Sequence, residues 1–196
     1  MPRFVGLYKE LRENEHAIVE NGILAPTVFV KEVEFKKFLG RQRKDFPVSC
    51  LLANVYLTNK RLMLLVLHEF EAVMLRRKGV PALVGVEGSW YEIPVSAITS
   101  VEAFQKELRR DKEFRALIPS LADQEAVSVV EVSYRGQRTS GNLKEYIESI
   151  FDADGIAKIF NVKNIVDVAD KVQMVGEKTV GLVPKLKSIC SSLGSS

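Results

Sequence analysis

The chain has 196 residues, 46% hydrophobic and 27% charged, and its 28 Lys and Arg against 25 Asp and Glu leave a formal charge of +3. That mixture can bury a sizeable core and excludes wholesale disorder, while so small a net charge does not by itself point to nucleic acid. No stretch reaches the roughly 18 uninterrupted apolar residues of a membrane-spanning helix, and Met1 to Lys9 lacks the apolar core of a signal peptide, so the expected address is the cytoplasm.

Residues 4–20 mix Phe4, Leu7, Leu11, Ala17, Ile18 and Val19 with charge and predict a short N-terminal helix leading into a first strand. From Gly22 to Phe38 the chain is rich in Val and Phe and reads as a long strand or an edge ribbon, and Gly40 to Pro47 as a polar, basic loop. Two apolar runs, 50–58 (CLLANVYLT) and 61–67 (RLMLLVL), are separated only by Asn59 and Lys60. Asn tolerates the positive φ of a tight turn, so this is an antiparallel hairpin. A second hairpin is expected over Glu69 to Val86, turning at Arg77-Lys78-Gly79. Trp90 to Ile93 alternates as a strand does before Pro94. A charged helical segment follows at about 103–118, and a last strand over Ala126 to Tyr134.

From Asn142 the period changes to that of a helix. Beyond Asn164 the positions Ile165, Val168, Val172, Val175, Thr179, Leu182, Leu186, Ile189 and Leu193 recur at alternating spacings of three and four, a heptad seam. Gly181 and Pro184 interrupt it, so two shorter helices jointed near 181–184 are expected, with Pro184 beginning the last. The stripe has two readings: it packs back on the strands, or it offers Ile165, Val168, Val172, Val175, Leu182, Leu186 and Ile189 to a protein partner or a second copy.

No nucleotide-binding, metalloprotease or hydrolase signature is present. His16 and His68 stand without a visible partner, Cys50 and Cys190 lack metal-ligand spacing, and Asp152-Ala153-Asp154-Gly155 lacks the remaining ligands of a calcium loop, so neither metal nor cofactor is expected. The basic clusters are Lys36-Lys37 with Arg41, Arg43 and Lys44; Arg76-Arg77-Lys78; and Arg109-Arg110 with Lys112. They read either as solvated loops or, for Lys37, Arg41, Arg43, Lys44, Arg76, Arg77 and Lys78, as side chains converging on an anion such as a lipid head group. Aromatics are not interleaved with these charges as on an RNA platform, which argues against nucleic acid.

At 55–66, V-Y-L-T-N-K-R-L-M-L-L-V resembles the strand–turn–strand signature of pleckstrin-homology-like and GRAM-type domains. W-Y-E-I-P-V-S-A-I-T-S-V-E at 90–102 looks like the closing signature of the same family, in the right order. The resemblance covers roughly residues 15–135. It implies a bent antiparallel sheet closing into a small barrel, capped at one end by a helix. With the readings above the expected fold is α+β: a β-barrel domain over residues 1–140 with an N-terminal helix and a charged helical insertion near 103–118 that departs from the family pattern, then a helical extension over 141–196. It also implies a non-catalytic binding or scaffold module that recognises a protein partner or an anionic membrane surface, peripheral at the membrane. Lys37, Arg41 and Arg43 resemble the Lys…Arg-x-Arg set of the phosphoinositide-binding members. The alternatives are a nucleic-acid-binding protein that uses the basic loops and a small enzyme with an unrecognised site.

Overall fold

A computed structural model describes residues 4–5, 9–37, 40–67, 88–109, 111–121, 123–135 and 169–193. Strands β1 (Phe4–Val5) and β2 (Lys9–Glu10) make a small ribbon. Then come β3 (Ala17–Lys37), β4 (Gly40–Thr58), β5 (Arg61–Leu67), β6 (Gly88–Pro94) and β7 (Ile98–Glu107). Helix α1 (Lys112–Leu117) precedes β8 (Ala126–Tyr134) and β9 (Lys171–Val175), and helices α2 (Glu177–Val180) and α3 (Leu182–Leu193) close the described chain. Strands β3 to β9 form one sheet in the order β6-β5-β4-β3-β9-β8-β7, antiparallel at every described ladder.

The connection between β6 and β7 forces this sheet to curl. The two strands occupy opposite edges, yet only the 3-10 turn Val95–Ala97 joins them. In a flat sheet with strands about 4.8 Å apart the edges would lie about 29 Å from each other. The four Cα steps from Pro94 to Ile98 span at most about 15 Å. The edges therefore approach at that corner, and the concave face becomes an interior. Among the described residues no ladder pairs β6 with β7, so the sheet is open and the expected closed barrel is not formed.

Period-2 alternation decides which side chains fill that interior. Phe29, Ala53, Val55, Leu57, Leu62, Leu64, Val130, Val132, Val172 and Met174 point inward and make the main core, which Leu182 and Leu186 of α3 complete. Their neighbours Val28, Val30, Val127, Val129 and Val175 point outward, where Leu108, Phe114 and Ile118 from β7 and the α1 region cover them. Tyr56, Met63 and Leu65 also face outward, beneath Leu11, Ala17 and Trp90. Both faces of the sheet are thus buried in part, which is why its strands carry so little polar alternation.

The hairpin through Asn59 and Lys60 is as expected, with Leu57 opposite Leu62, and the strand expected over Ala126 to Tyr134 is β8, although it is not the last. Four expectations are corrected. Residues 9–37 contain strands and no helix. Residues 40–47 are not a loop: they pair with β3 as the first half of β4. The charged segment stays extended through Glu107 and becomes helical only over Lys112–Leu117, because pairing with the Val-rich β8 overrides the helix preference of Glu, Ala, Gln and Lys. The C-terminal extension is not helical throughout: 171–175 is a strand inserted between β3 and β8, supplying each with a partner. The expected hairpin over 69–86 lies outside the described residues.

Candidate functional site

The turn that suggested a family has a structural task. Glu15 is fully buried and receives Thr58 Oγ1 at 2.6 Å, Arg61 Nε at 2.8 Å, Arg61 Nη2 at 3.0 Å and the Arg12 N–H at 2.7 Å. Arg61 also donates to Glu92 Oε2 at 2.7 Å and to the Glu10 carbonyl at 2.9 Å. Burial alone would raise the carboxyl pKa of Glu15; the hydrogen bonds from Arg61, Thr58 and Arg12 outweigh it and hold it at about 2. Asn59 exchanges two hydrogen bonds with the His16 backbone and donates Nδ2 to the Asn14 carbonyl, while Lys60 Nζ reaches the Glu13 carbonyl. Thr58, Asn59 and Arg61 fasten residues 9–16 across the β4–β5 turn, and the acceptors and donors of the cluster are spent on one another.

The basic residues fall elsewhere. β9 meets β3 only at Thr27–Val30, and β5 meets β4 only at Ala53–Leu57. Beyond these limits the ladder from Lys31↔Phe46 to Lys37↔Gly40 has no third strand among the described residues. This two-stranded arm runs about 20 Å past its neighbours. Its register pairs Val33 with Lys44 and Glu34 with Arg43, so Lys44 and Phe46 share one face and Glu34 and Arg43 the other. Lys37, Arg41, Arg43 and Lys44 thus stand on the two paired strands of the arm, rather than on a loop edge. Arg76, Arg77 and Lys78 lie outside the described residues.

The base of the arm is electrically stitched. Lys31 Nζ pairs with Asp170 at 2.9 Å, and the second oxygen of Asp170 takes the Glu32 N–H at 3.1 Å. Lys171 lies 3.0 Å from Asp45, 3.3 Å from Glu32 and 3.7 Å from Glu131. Burial depresses the Lys171 pKa, but the Asp45 hydrogen bond and the surrounding carboxylates more than reverse that, so its pKa lies above the usual lysine value. Arg43 pairs with Glu32 at 3.2 Å while staying largely exposed, and Lys44 Nζ sits 4.9 Å over the Phe46 ring. Towards the tip the sequence Phe35–Lys44 (FKKFLGRQRK) carries five cations, three large apolar residues and no acid. Phe35, Phe38 and Leu39 were not among the sequence candidates; contrary to the expectation that no aromatics stand among these charges, Phe35 and Phe38 flank Lys36 and Lys37 in the sequence, which was the visible signal.

The seam resolves differently from its heptad reading. Val172 lies on β9 in the inner core and Val175 lies on the opposite face, so they share no stripe. Leu182 and Leu186 are fully buried beneath the sheet and Ile189 packs beside them, with Gly181 marking the joint between α2 and α3. Pro184 stands in the first turn of α3 rather than at its start. Ile165 and Val168 lie outside the described residues.

The described residues also line concavities. A cleft of about 240 Å³ between β7 and α3 is lined by Thr99, Ser100, Lys187 and Cys190 among others, and one of about 80 Å³ lies between Pro47 and Phe114. Both are smaller than the roughly 300 Å³ at which pockets begin to enclose a small-molecule ligand. Among the described residues no group of three or more His, Cys, Asp or Glu could hold a metal, and no helix is long and apolar enough to cross a membrane. No family model, curated protein or solved structure matches this chain.

Proposed function

We propose that this chain is a non-catalytic, pleckstrin-homology-like binding module that attaches to anionic membrane surfaces through the β3–β4 arm. The observation that carries the reading is the segregation of charge along that arm. Carboxylates at the base pair with Lys31, Lys171 and Arg43, whereas the sequence from Phe35 to Lys44 carries four further cations, three large apolar residues and no acid. Cations near an anionic leaflet contribute about 1 kcal/mol each, and apolar residues among them add burial at the headgroup boundary. A soluble acidic protein would satisfy the cations but leave three large apolar residues without an apolar phase, which is why the membrane is the favoured partner.

The test is co-sedimentation with phosphatidylserine-containing vesicles. The wild type should bind at low salt and weaken as salt rises, since screening shortens the reach of charge to about 8 Å at physiological ionic strength. The triple variant Arg41→Glu, Arg43→Glu, Lys44→Glu should fold and fail to bind, because among the described side chains the ion pair it removes is the exposed Arg43–Glu32 contact. A wild type that ignores the vesicles, or one that binds single-stranded RNA through these residues in their place, overturns the proposal.

A further inference from the structure

We infer that β7 is a self-complementary edge through which two copies of the chain pair antiparallel, extending the sheet across a two-fold axis at Phe104. β7 is the terminal strand of the described sheet. Thr99, Ser100 and the run from Glu102 to Gln105 are exposed, and among the described residues no strand lies beside that flank from Glu102 to Gln105. Among the described residues Phe104 is one of four exposed large hydrophobics, at 38%.

The backbone direction follows from its hydrogen bonds. Leu108 N–H donates to the Glu125 carbonyl, so the even residues of β7 turn their main-chain groups towards β8. The β8 side agrees: the Ser128 carbonyl accepts from Gly176 N–H and Tyr134 N–H donates to Asp170, so the even residues of β8 serve the β9 side and the odd ones β7. The N–H and C=O groups of Ala103 and Gln105 therefore point away from the sheet, as a row of donors and acceptors that a further strand would satisfy.

Charge selects both the occupant and its register. Glu102 lies directly opposite Glu131 on β8, a like-charge pair, and Glu131 already receives Gln173 Nε2 at 2.6 Å. Antiparallel pairing about Phe104 sets Glu102 opposite Lys106 of the second copy and Lys106 opposite its Glu102. Ala103 and Gln105 then face each other as hydrogen-bonded pairs, and the two Phe104 rings meet at the axis as a close, non-hydrogen-bonded pair. Shifting the axis to Glu102 would set that carboxylate against itself, and shifting it to Ala103 leaves both charges without a counterpart. Lys106 is placed for this: its pair with Asp111 at 3.0 Å and its seat 4.1 Å over Phe114 hold the ammonium at the outer face, where its other donors can serve an incoming carboxylate.

The full chain should sediment as a concentration-dependent dimer. Ala103→Pro removes an outward N–H and leaves the β8 ladder intact, so this variant should be monomeric and should melt where the wild type does when diluted to its monomer. Glu102→Lys, which sets Lys against Lys106 of the second copy, should weaken dimerisation by about tenfold or more without disturbing the fold. A wild type that stays monomeric at the highest accessible concentration overturns the inference, as does a dimer that survives Glu102→Lys at wild-type strength.

Discussion

Replacing Glu15 by Gln leaves the Arg61 guanidinium inside the protein with one of its two carboxylates gone. The structure sets the scale in two ways. Glu15 and Arg61 have side-chain exposures of 0% and 4%, and breaking so buried a pair by removing one partner costs about 3–5 kcal/mol. Independently, a carboxyl pKa held at about 2 instead of 4.5 corresponds to about 3 kcal/mol of preference for the ionised form. Because Glu92 still holds Arg61, the lower figure applies, and for a chain of this size it means a melting temperature lower by about 6–12 °C. The sign with pH follows from the depressed folded-state pKa. The contribution is fully present above pH 4.5 and is lost as pH falls towards 2, so the gap between wild type and Glu15→Gln should close over that window. Circular-dichroism melts at pH 7 and down through the acid range read both quantities. A variant that melts within about 2 °C of wild type at pH 7, or a gap that stays constant on acidification, refutes the reasoning.

The core and its special backbone positions make three further expectations. Leu186→Ala should cost about 2–5 kcal/mol in urea unfolding, since the side chain is fully buried under the sheet; a loss near zero would show that α3 is not docked. Gly22→Ala should destabilise by about 1–3 kcal/mol, because the residue has φ +68° and an added Cβ would lie 2.8 Å from Cζ of the buried Tyr56 ring; a neutral effect in the same unfolding assay contradicts this contact. Burial pushes the Cys50 thiol up to about 11, so in a Cys190→Ser background it should react slowly with a thiol reagent at pH 8 until the protein unfolds, and prompt labelling of the native protein would count against the packing.

Much of the sheet could be read from residue order. The turn at Asn59-Lys60, the long β3 and the limits of β8 follow from alternation and turn chemistry, and Gly181 with Pro184 announced the break between α2 and α3. What stayed hidden has physical causes. The first half of β4 is polar because it belongs to a two-stranded arm with no core to alternate against, so it looks like a loop. β9 has only five residues, and the spacing of Val172 and Val175 suits a helical period of three and four, whereas a period of two sends them to opposite faces; only the vacancy between β3 and β8 settles the choice. Residues 103–107 are helix formers held extended by their neighbour. Glu15 carries no motif at all, being one carboxylate in a charged stretch, and its role emerges only when Arg61 and Thr58 are folded against it. The cations Lys37, Arg41, Arg43 and Lys44 were legible as a cluster, whereas their placement on paired strands of an arm depends on the register.

The reading of the arm as a membrane contact is tested most directly at its tip. With Cys50 and Cys190 replaced by Ser, Leu39→Cys can carry an environment-sensitive fluorophore between the paired Lys37 and Gly40. The account predicts a fluorescence rise and blue shift on adding phosphatidylserine vesicles, reversed by high salt and absent with purely zwitterionic vesicles. A probe at residue 39 that reports an unchanged aqueous environment on anionic vesicles would contradict it.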